Sequence, residues 1–307
     1  MDVDAVLGDL AALATTAGPA DSQPAPIVAF VGPTASGKTE LAIALAERVG
    51  GEIVSADSVQ VYRRFDVGSG KPTVDELGRA RHHLVGILDP LEPIDAAAYA
   101  DLAHRAVVDI RSRGKLPIVC GGTFLWVKAL LQGLADAPPA DETVRARHRN
   151  VVETSGRPEL HRRLALVDAK AAARLHPNDQ VRVSRALEVF ELTGETMSAL
   201  QERHAFRSVR LPSRLVARRW SPEELTARIE RRVEGWLEAG WIDEVRGLRD
   251  AGYGCARAMG SVGYREVMAH VEGTLPREGL ALAITRATRV FARRQRTWLN
   301  HAEVTWV

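Results

Sequence analysis

A glycine-bearing segment between an apolar run and a helical pattern constrains this chain more than any other feature. Residues 32–39 read GPTASGKT and fit G-x-x-x-x-G-K-[ST], with the apolar run IVAFV just before them and a helical pattern over residues 38–49. Backbone N–H groups at the start of such a helix face an anion, the lysine adds a cation, and the next hydroxyl can bind Mg²⁺. The segment therefore predicts a polyphosphate site. Its predicted phosphate contacts are Gly32, Pro33, Thr34, Ala35, Ser36, Gly37, Lys38 and Thr39.

Strand-like and helical patterns alternate after this loop. A helical pattern covers residues 97–113, and a second helix opens at Ser221, where serine as the cap and proline at the first helical position favour a helix start. This order predicts an α/β fold of the P-loop NTPase type, with a parallel sheet and flanking helices. Besides IVAFV (27–31), the predicted strands are EIVSA (52–56), HLVGIL (83–88), LPIVCGG (116–122) and RLVARRW (214–220).

Three compositional segments divide the chain. Residues 1–26 contain four aspartates, no Lys or Arg and a Pro/Ala-rich end, so we expect a mobile tail and neither a signal nor a transit peptide. A proline-rich break after Gly133 leads into an Arg/Ala/Leu-rich stretch with helical spacing and no strand pattern. Residues 136–205 are therefore predicted to form a helical insertion domain. Residues 27–135 and 206–307 would form the α/β core with C-terminal helices.

Composition narrows the setting and the partner. The chain has 307 residues, of which 46% are hydrophobic, enough to bury a sizeable core. Cys120 and Cys255 are its only cysteines, which opposes a disulfide framework or a cysteine-rich zinc site and favours a cytoplasmic protein. We expect no membrane partner. The first 135 residues are net acidic and the rest are net basic, so an anionic partner is expected on the second part.

The ligand of the loop stays open at this level. An ATPase needs a magnesium-holding aspartate at the end of a hydrophobic strand. The run LPIVCGG ends in glycines, whereas EIVSADSVQVY ends in Asp57, accompanied by Ser58 and Gln60. Small-molecule and nucleotide kinases can also place an aspartate there. A kinase therefore remains an alternative.

The motifs taken together resemble one family over residues 27–307. In order along the chain, they are similar to those of the bacterial tRNA dimethylallyltransferases, the MiaA family. The motifs that carry the resemblance are GPTASGKTELA, SADSVQVYRRFDVGSGKP, HHLVGILDP, PIVCGGTFLWVKALLQGL, HPNDQVRVSRALEVFELTGETMSAL, GSVGYREV and RRQRTWL.

This resemblance implies the substrates and the chemistry. The loop would hold the diphosphate of dimethylallyl diphosphate, and the adenosine just 3′ of the anticodon would be prenylated on its exocyclic N6 amine. Lys38 and Mg²⁺ held by Thr39 would stabilise the diphosphate leaving group. Asp57 would be the general base, with a strand-end capping acid as the alternative reading. Arg228 and Arg232 could reach the diphosphate or, four apart on one helix, could pair with neighbouring glutamates.

The resemblance also implies a tRNA surface that contacts the anticodon stem-loop. The enzyme is expected to be a monomer and to draw the adenosine out of its stack. The implied tRNA contacts are Asp57, Ser58, Val59, Gln60, Thr123, Arg145, Val181, Arg182, Val183, Ser184, Arg185, Gly260, Ser261, Val262, Gly263, Tyr264, Arg265, Arg293, Arg294, Gln295, Arg296, Thr297 and Trp298.

A basic helical face supports the tRNA hypothesis independently. Arg286, Arg289, Arg293 and Arg296 follow one another at spacings of 3, 4 and 3, as on one side of a helix, and no acidic residue occurs between residue 286 and Glu303. A solvated basic face is the alternative. Most of the tryptophans are expected in the core rather than as base-stacking platforms. A non-catalytic RNA-binding protein would keep this face and remains the second alternative.

Overall fold

Two compact units make up the chain. The computed structural model describes residues 3–15, 25–205, 209–300 and 302–307. Unit 1 comprises Met1–Leu131 and Arg210–Val307, and unit 2 comprises Gln132–Val209. Within the described residues, no helix has the length and apolar content needed to cross a membrane.

Unit 1 is built on a parallel sheet whose central strands are apolar throughout. The strand order is β3-β2-β4-β1-β5-β6, and every pair is parallel. β1 and β4 are buried along their whole length, as expected for central strands covered on both faces. The strands are β1 Ile27–Val31, β2 Glu52–Ser55, β3 His82–His83, β4 Pro117–Gly121, β5 Ser213–Ala217 and β6 Val304–Trp306.

Helices cover both faces of this sheet because successive strand side chains point to opposite sides. In β1, Val28 and Phe30 join the core under α1 and α2, whereas Ala29 and Val31 join the larger core under α4, α5 and the C-terminal helices. The helices of unit 1 are α1 Val3–Thr15, α2 Lys38–Val49, α3 Val74–Arg79, α4 Ala96–Ser112, α5 Phe124–Gln132, α11 Pro222–Glu238, α12 Trp241–Asp250, α13 Tyr264–Val271 and α14 Arg277–Leu299.

Unit 2 is helical in its described residues and has a core of its own. Leu160, Leu164, Val183 and Leu187 are buried together between its helices. Asp168 caps α8 by accepting the Ala171 N–H. The helices are α6 Glu142–Ser155, α7 Arg157–Val167, α8 Ala169–Arg174, α9 Gln180–Thr193 and α10 Met197–His204.

Three elements differ from the sequence-based expectations. Residues 3–15 of the predicted mobile tail form α1, because Val6, Leu7 and Leu10 bury an apolar stripe against α2; residues 16–24 lie outside the described residues. The strand predicted over residues 83–88 shortens to β3, since Leu84 adopts a left-handed φ of 62° that ends the extended run. β6 was not predicted, and it pairs with β5 at the sheet edge.

A buried carboxylate holds the amino-terminal end of β2. Glu52 is 1% exposed. It accepts two hydrogen bonds from Arg113, at 2.5 and 2.7 Å, one from Lys115 at 2.8 Å, and contacts His83 at 2.7 Å. The hydrogen bonds from Arg113 are the largest cause that holds the pKa of Glu52 well below its ordinary value of 4.5, against the opposing effect of burial.

We predict that this cluster makes the free energy of unfolding depend on pH. A lowered pKa adds stability above the ordinary pKa of 4.5 and loses it as the pH falls toward the folded-state value. Glu52→Gln should lower the free energy of unfolding by on the order of 3 kcal/mol at pH 7, because it leaves the cations without their carboxylate. The difference from the parent should shrink below pH 4.5. Denaturant titrations at several pH values measure it.

The exposed pair of Glu47 and Arg79 provides the control. Its two hydrogen bonds are both 2.8 Å long, but the side chains are 40% and 50% exposed. Glu47→Gln should lower the free energy of unfolding far less than Glu52→Gln does, because solvent screens an exposed ion pair. Equal losses for the two variants would contradict the role given to Glu52.

Candidate functional site

The carboxyl ends of β1, β2 and β4 meet at one edge of the sheet, where ligands of open α/β sheets bind. Ala56, just after β2, donates its N–H to the Cys120 carbonyl at 2.8 Å and accepts the Thr123 N–H at 3.1 Å. A Cβ on Gly121 would overlap the Ala56 carbonyl. Glycine at this position therefore allows the loops after β2 and β4 to lie side by side.

The phosphate loop after β1 has the alternating backbone of an anion-binding concavity. Ala35 and Gly37 have positive φ angles of 63° and 82°, and α2 begins directly at Lys38. The Ser36 hydroxyl is buried and has no protein partner among the described residues. Such a hydroxyl and free N–H groups at a helix start suit the oxygens of a bound anion.

Lys38 is a half-buried cation whose partner within the described residues is weak. Its ammonium reaches the Pro33 carbonyl only at 3.5 Å. Burial lowers the pKa of Lys38, and the charge of Asp57 opposes that shift. Because a bound anion would favour the protonated amine further, the geometry and the electrostatics both suit a negatively charged ligand.

Gln295 of α14 ties the phosphate loop to the loop after β4. Its amide oxygen accepts the Thr34 N–H at 2.9 Å, and its amide nitrogen donates to the Gly122 carbonyl at 2.9 Å. Gln295 is 7% exposed. The resemblance assigned it to tRNA, whereas in the structure its side chain is committed to these two loops.

Asp57 follows β2 and faces the same edge. Its Oδ1 accepts the N–H groups of Val59 at 2.9 Å and Gln60 at 3.2 Å. No hydrogen bond to Oδ2 occurs within the described residues. The turn is fixed from outside as well, since the Thr123 hydroxyl accepts the Ser58 N–H at 3.1 Å. One carboxylate oxygen thus orients Asp57 and the other is available.

The two arginines of α11 point to this site and not to the neighbouring glutamates. Arg228 donates from Nε to the Ala35 carbonyl at 2.7 Å. Arg232 lies over the Trp236 ring at 4.3 Å, beside Gly70. Burial lowers the pKa of Arg232, and the nearby Asp57 charge opposes the shift. Glu224, the proposed helical partner, instead accepts the Ser221 N–H and completes a capping box.

These loops enclose one open cavity of about 1160 Å³, large enough for a base and a small second substrate. Gly32, Pro33 and Ser36 belong to the phosphate loop but do not line the cavity. The predicted residues that do are Thr34, Ala35, Gly37, Lys38, Thr39, Asp57, Ser58, Val59, Gln60, Thr123, Arg228, Arg232, Gly260, Ser261, Val262, Tyr264, Arg265, Arg294 and Gln295.

The basic face of α14 lies in a different groove. Arg286, Arg289, Arg293 and Arg296 line a depression of about 390 Å³ whose floor includes Leu225 and Ile229 of α11 and Ala292 of α14. All four arginines are exposed, and none forms an ion pair with any residue that the structure describes. We call these four arginines the α14 arginine face. They face the groove, whereas Arg294 and Gln295 of the same helix face the cavity.

Comparison with known proteins agrees with this architecture. The family model described as IPP transferase matches residues 60–302. A tRNA dimethylallyltransferase of Sorangium cellulosum is 62% identical over 284 residues, which are 92% of this chain and 90% of that protein.

The chain belongs to the IPP transferase family.

Solved structures of related enzymes share the fold. The full-length tRNA isopentenylpyrophosphate transferase of Bacillus halodurans superposes with a TM-score of 0.66 at 37% identity, covering 92% of this chain and 89% of that one. A eukaryotic dimethylallyltransferase acting on tRNA gives a TM-score of 0.74 at 25% identity, covering 89% of this chain and 69% of that one. The parallel sheet and P-loop-like fold expected from the sequence are therefore confirmed.

Unit 2 of this IPP transferase family member holds the predicted tRNA residues Arg145 and Val181 to Arg185, and one expectation fails there. Val183 is fully buried in the core of unit 2, so its side chain cannot contact tRNA. Val183 shares one side of α9 with Ala186 and Leu187, which are three and four residues later and are buried in the same core. Val181, by contrast, is 80% exposed.

The polar candidates of unit 2 hold protein contacts. Arg145 binds the buried Glu188 through two hydrogen bonds of 2.8 and 3.1 Å, and Arg185 binds it at 2.6 Å. Ser184 contacts His148 at 2.9 Å. Arg182 pairs with an aspartate at the start of α9 and is 74% exposed. Arg182 and Val181 are thus the more accessible members of the set.

A carboxylate that no sequence motif marks shapes the cavity wall. Glu244 of α12 accepts the N–H groups of Asp66 at 2.9 Å and Val67 at 2.6 Å, and the Tyr264 hydroxyl at 2.6 Å. Burial and then the Glu244 charge raise the pKa of Tyr264, so this hydroxyl stays a donor. No local motif marks Glu244, because its partners lie about 20 and about 180 residues away.

Two tryptophans illustrate the core expectation. Trp241 is 1% exposed and meets Tyr264 edge to face, as expected for the core. Trp298 is half-buried and stacks on Phe124 at 4.2 Å.

Two further predicted tRNA residues also have protein contacts. The Thr297 hydroxyl donates to the Arg293 carbonyl within α14. Gly263 adopts a φ of 92° and lies against the Trp241 ring.

We predict that the contact at Gly121 controls both stability and the Asp57 turn. In Gly121→Ala the new methyl group would strike the Ala56 carbonyl, so the free energy of unfolding should fall by roughly 1–3 kcal/mol. Gly235→Ala is the control: this helical glycine has open space around it, and alanine there should stabilise by up to about 1 kcal/mol. Denaturant unfolding measures both. A Gly121→Ala variant as stable as the parent would contradict the packing argument.

Proposed function

We propose that this chain transfers the dimethylallyl group of dimethylallyl diphosphate to the N6 amine of the adenosine 3′-adjacent to the anticodon of tRNA, releasing diphosphate. The observation that carries the proposal is the shared cavity of Lys38 and Asp57, an anion-binding loop beside an oriented carboxylate. The related enzymes named for dimethylallyl or isopentenyl transfer to tRNA support it.

The phosphate loop stabilises the leaving group in this proposal. Breaking the bond between C1 of the prenyl group and the diphosphate oxygen leaves negative charge on the diphosphate. Lys38 and the N–H groups that open α2 would meet that charge, with Arg232 as a further cation close to Asp57. Preformed charges of this kind are the largest single contribution in many enzymes.

The residues present fit a magnesium ion bound largely through the substrate. Within the described residues no cluster of three or more His, Cys, Asp or Glu side chains could hold a metal. Thr39, in the first turn of α2, lines the cavity, and its hydroxyl could supply one ligand. Mg²⁺ commonly keeps several waters and binds through one or two protein oxygens and substrate phosphates. Bound in this way, it would neutralise charge on the departing diphosphate.

Asp57 acts as the general base in the proposed reaction. As the N6–C1 bond forms, the amine proton passes to Asp57, whose Oδ2 is available while Oδ1 stays bound to the Val59 and Gln60 N–H groups. The buried Cys120 thiol does not compete as a proton acceptor, because burial raises its pKa to about 11. The adenosine would have to leave its stack to reach this carboxylate.

The remaining finer assignments are part of the same proposal. We infer that tRNA residues approach through the exposed cavity members Ser58, Arg265 and Arg294, with Val181 and Arg182 as further contacts. A monomer as the active form belongs to the same proposal.

Incubation of the purified protein with Mg²⁺, dimethylallyl diphosphate and unmodified tRNA tests the function. We expect N6-prenylated adenosine and one diphosphate per transfer. A small-molecule kinase would instead transfer phosphate from ATP, and a non-catalytic RNA-binding protein would bind tRNA without releasing diphosphate. Either outcome would overturn the proposal.

We predict that Asp57→Asn separates catalysis from binding. Asparagine keeps the size and a hydrogen-bond acceptor but has no useful basicity. The single-turnover rate should therefore fall by roughly 10²-fold or more while both substrate affinities change much less. Asp75→Asn, at an exposed position of α3, serves as the control and should retain the parent rate. If Asp57→Asn kept its rate but lost tRNA affinity, Asp57 would be a recognition residue.

We predict that the α14 arginine face contributes to tRNA affinity through phosphates. Replacing Arg286 and Arg289 with alanine should weaken binding across different tRNAs and reduce the slope of log affinity against log salt by about one unit per lost contact. Binding assays between low and physiological salt measure the slope. Alanine at Arg105 and Arg214, exposed residues outside the groove, removes the same charge as a control. If the Arg286 and Arg289 variant and the control variant had the same slope, the α14 arginine face would be a solvated surface that does not contact tRNA.

A further inference from the structure

Three guanidinium groups lie in a row along the phosphate loop. Arg232 lies at the end near Asp57, whose charge acts on it. One helical turn earlier in α11, Arg228 approaches Gly37. Arg218, which follows β5, approaches the same glycine: both guanidiniums come within 3.5 Å of where a Gly37 Cβ would lie. The positive charge therefore continues past the loop, away from Asp57.

Trp220 holds two of these cations and the loop itself. Its ring lies 4.8 Å from the Arg218 guanidinium and 4.5 Å from that of Arg228. Its indole N–H donates to the Ser36 carbonyl at 2.9 Å, next to the Ala35 carbonyl that accepts from Arg228. Two successive carbonyls of the loop are thus held by side chains from outside the loop.

The cation of Arg218 is only weakly compensated by protein. The closest carboxylate oxygen, on Glu40, lies at 3.9 Å, and the Glu40 side chain is 73% exposed. Arg218 itself is 28% exposed, so holding it beside Arg228 costs electrostatic repulsion in a partly desolvated place. An anion between the two guanidiniums would remove that cost.

We propose that Arg218 is a further diphosphate-binding residue, and that Trp220 positions it. This proposal rests on the proposed function. Arg218 binds the phosphate farther from Asp57, which is the phosphate that is not bonded to the prenyl group. An arginine there can form charge-assisted hydrogen bonds to phosphate oxygens. A phosphate of the tRNA backbone is the competing ligand. Arg218 lies at Gly37, the residue just before the start of α2 in the phosphate loop, and this position favours the diphosphate.

Titration calorimetry with inorganic diphosphate and Mg²⁺, in the absence of tRNA, tests the assignment. Arg218→Ala should raise the dissociation constant of diphosphate roughly tenfold, the scale of one charge-assisted hydrogen bond. Arg214→Ala, an exposed cation at the start of the same strand, should leave it unchanged. In steady-state assays Arg218→Ala should raise KM for the prenyl donor by a similar factor, with the single-turnover rate at saturating donor within about threefold of the parent.

A double-mutant cycle tests the positioning role of Trp220. Trp220→Leu removes the ring that supports Arg218, so it should weaken diphosphate binding less when Arg218 is already alanine, with the remaining loss coming from Arg228 and the loop. Fully additive losses would show that Trp220 acts only through Arg228 and the loop and would overturn the positioning claim. Thermal unfolding of each variant without ligand identifies a loss of fold.

The outcomes distinguish this inference from the proposed function. If the parent protein failed to bind diphosphate, the proposed function itself would fail. If the parent bound diphosphate and Arg218→Ala bound it equally well, only the assignment of Arg218 would be overturned. A lower salt slope for tRNA binding with unchanged diphosphate affinity would transfer Arg218 to the tRNA and likewise overturn the assignment.

Discussion

The close approach of the loops after β2 and β4 is the constraint on which the site depends. Gly121 leaves room for the Ala56 carbonyl, and that carbonyl then accepts the Thr123 N–H. Because β4 lies between β1 and β2 in the sheet, the same contact sets how far the Asp57 turn stands from the phosphate loop. Gln295 completes the arrangement by joining the phosphate loop to the loop after β4.

Charge is distributed unevenly over this framework. Cations outnumber carboxylates in the cavity wall, and burial lowers the pKa of two of them, Lys38 and Arg232. Asp57 is the carboxylate whose charge opposes both shifts. A site with partly buried cations and an oriented carboxylate suits an anionic leaving group and a proton acceptor, which are the two requirements of alkylating an amine with an allylic diphosphate.

Helix α14 shows how one element can serve two surfaces. Positions 294 and 295 face the cavity, whereas 293 and 296 face the groove beside α11. A 3.6-residue period separates neighbours by about 100°, so adjacent residues of one motif reach different environments. A motif assignment that treats residues 293–298 as one contact set therefore combines residues with different surroundings. Gln295 and Trp298 pack inside, while Arg293 stays exposed.

The sequence by itself determined the α/β class, the phosphate loop, the strand that carries Asp57 and the family, because these depend on local patterns: apolar runs, a glycine-bearing turn before a helix, and motifs in a fixed order. It did not determine the packing of α1, the early end of β3 at Leu84, or the burial of Val183. The sequence also did not predict the contacts of Glu244, Gln295 and Trp220. Each acts on backbone groups far away in the chain, and such pairings exist only after the strands and helices have packed, so tertiary structure alone decided them.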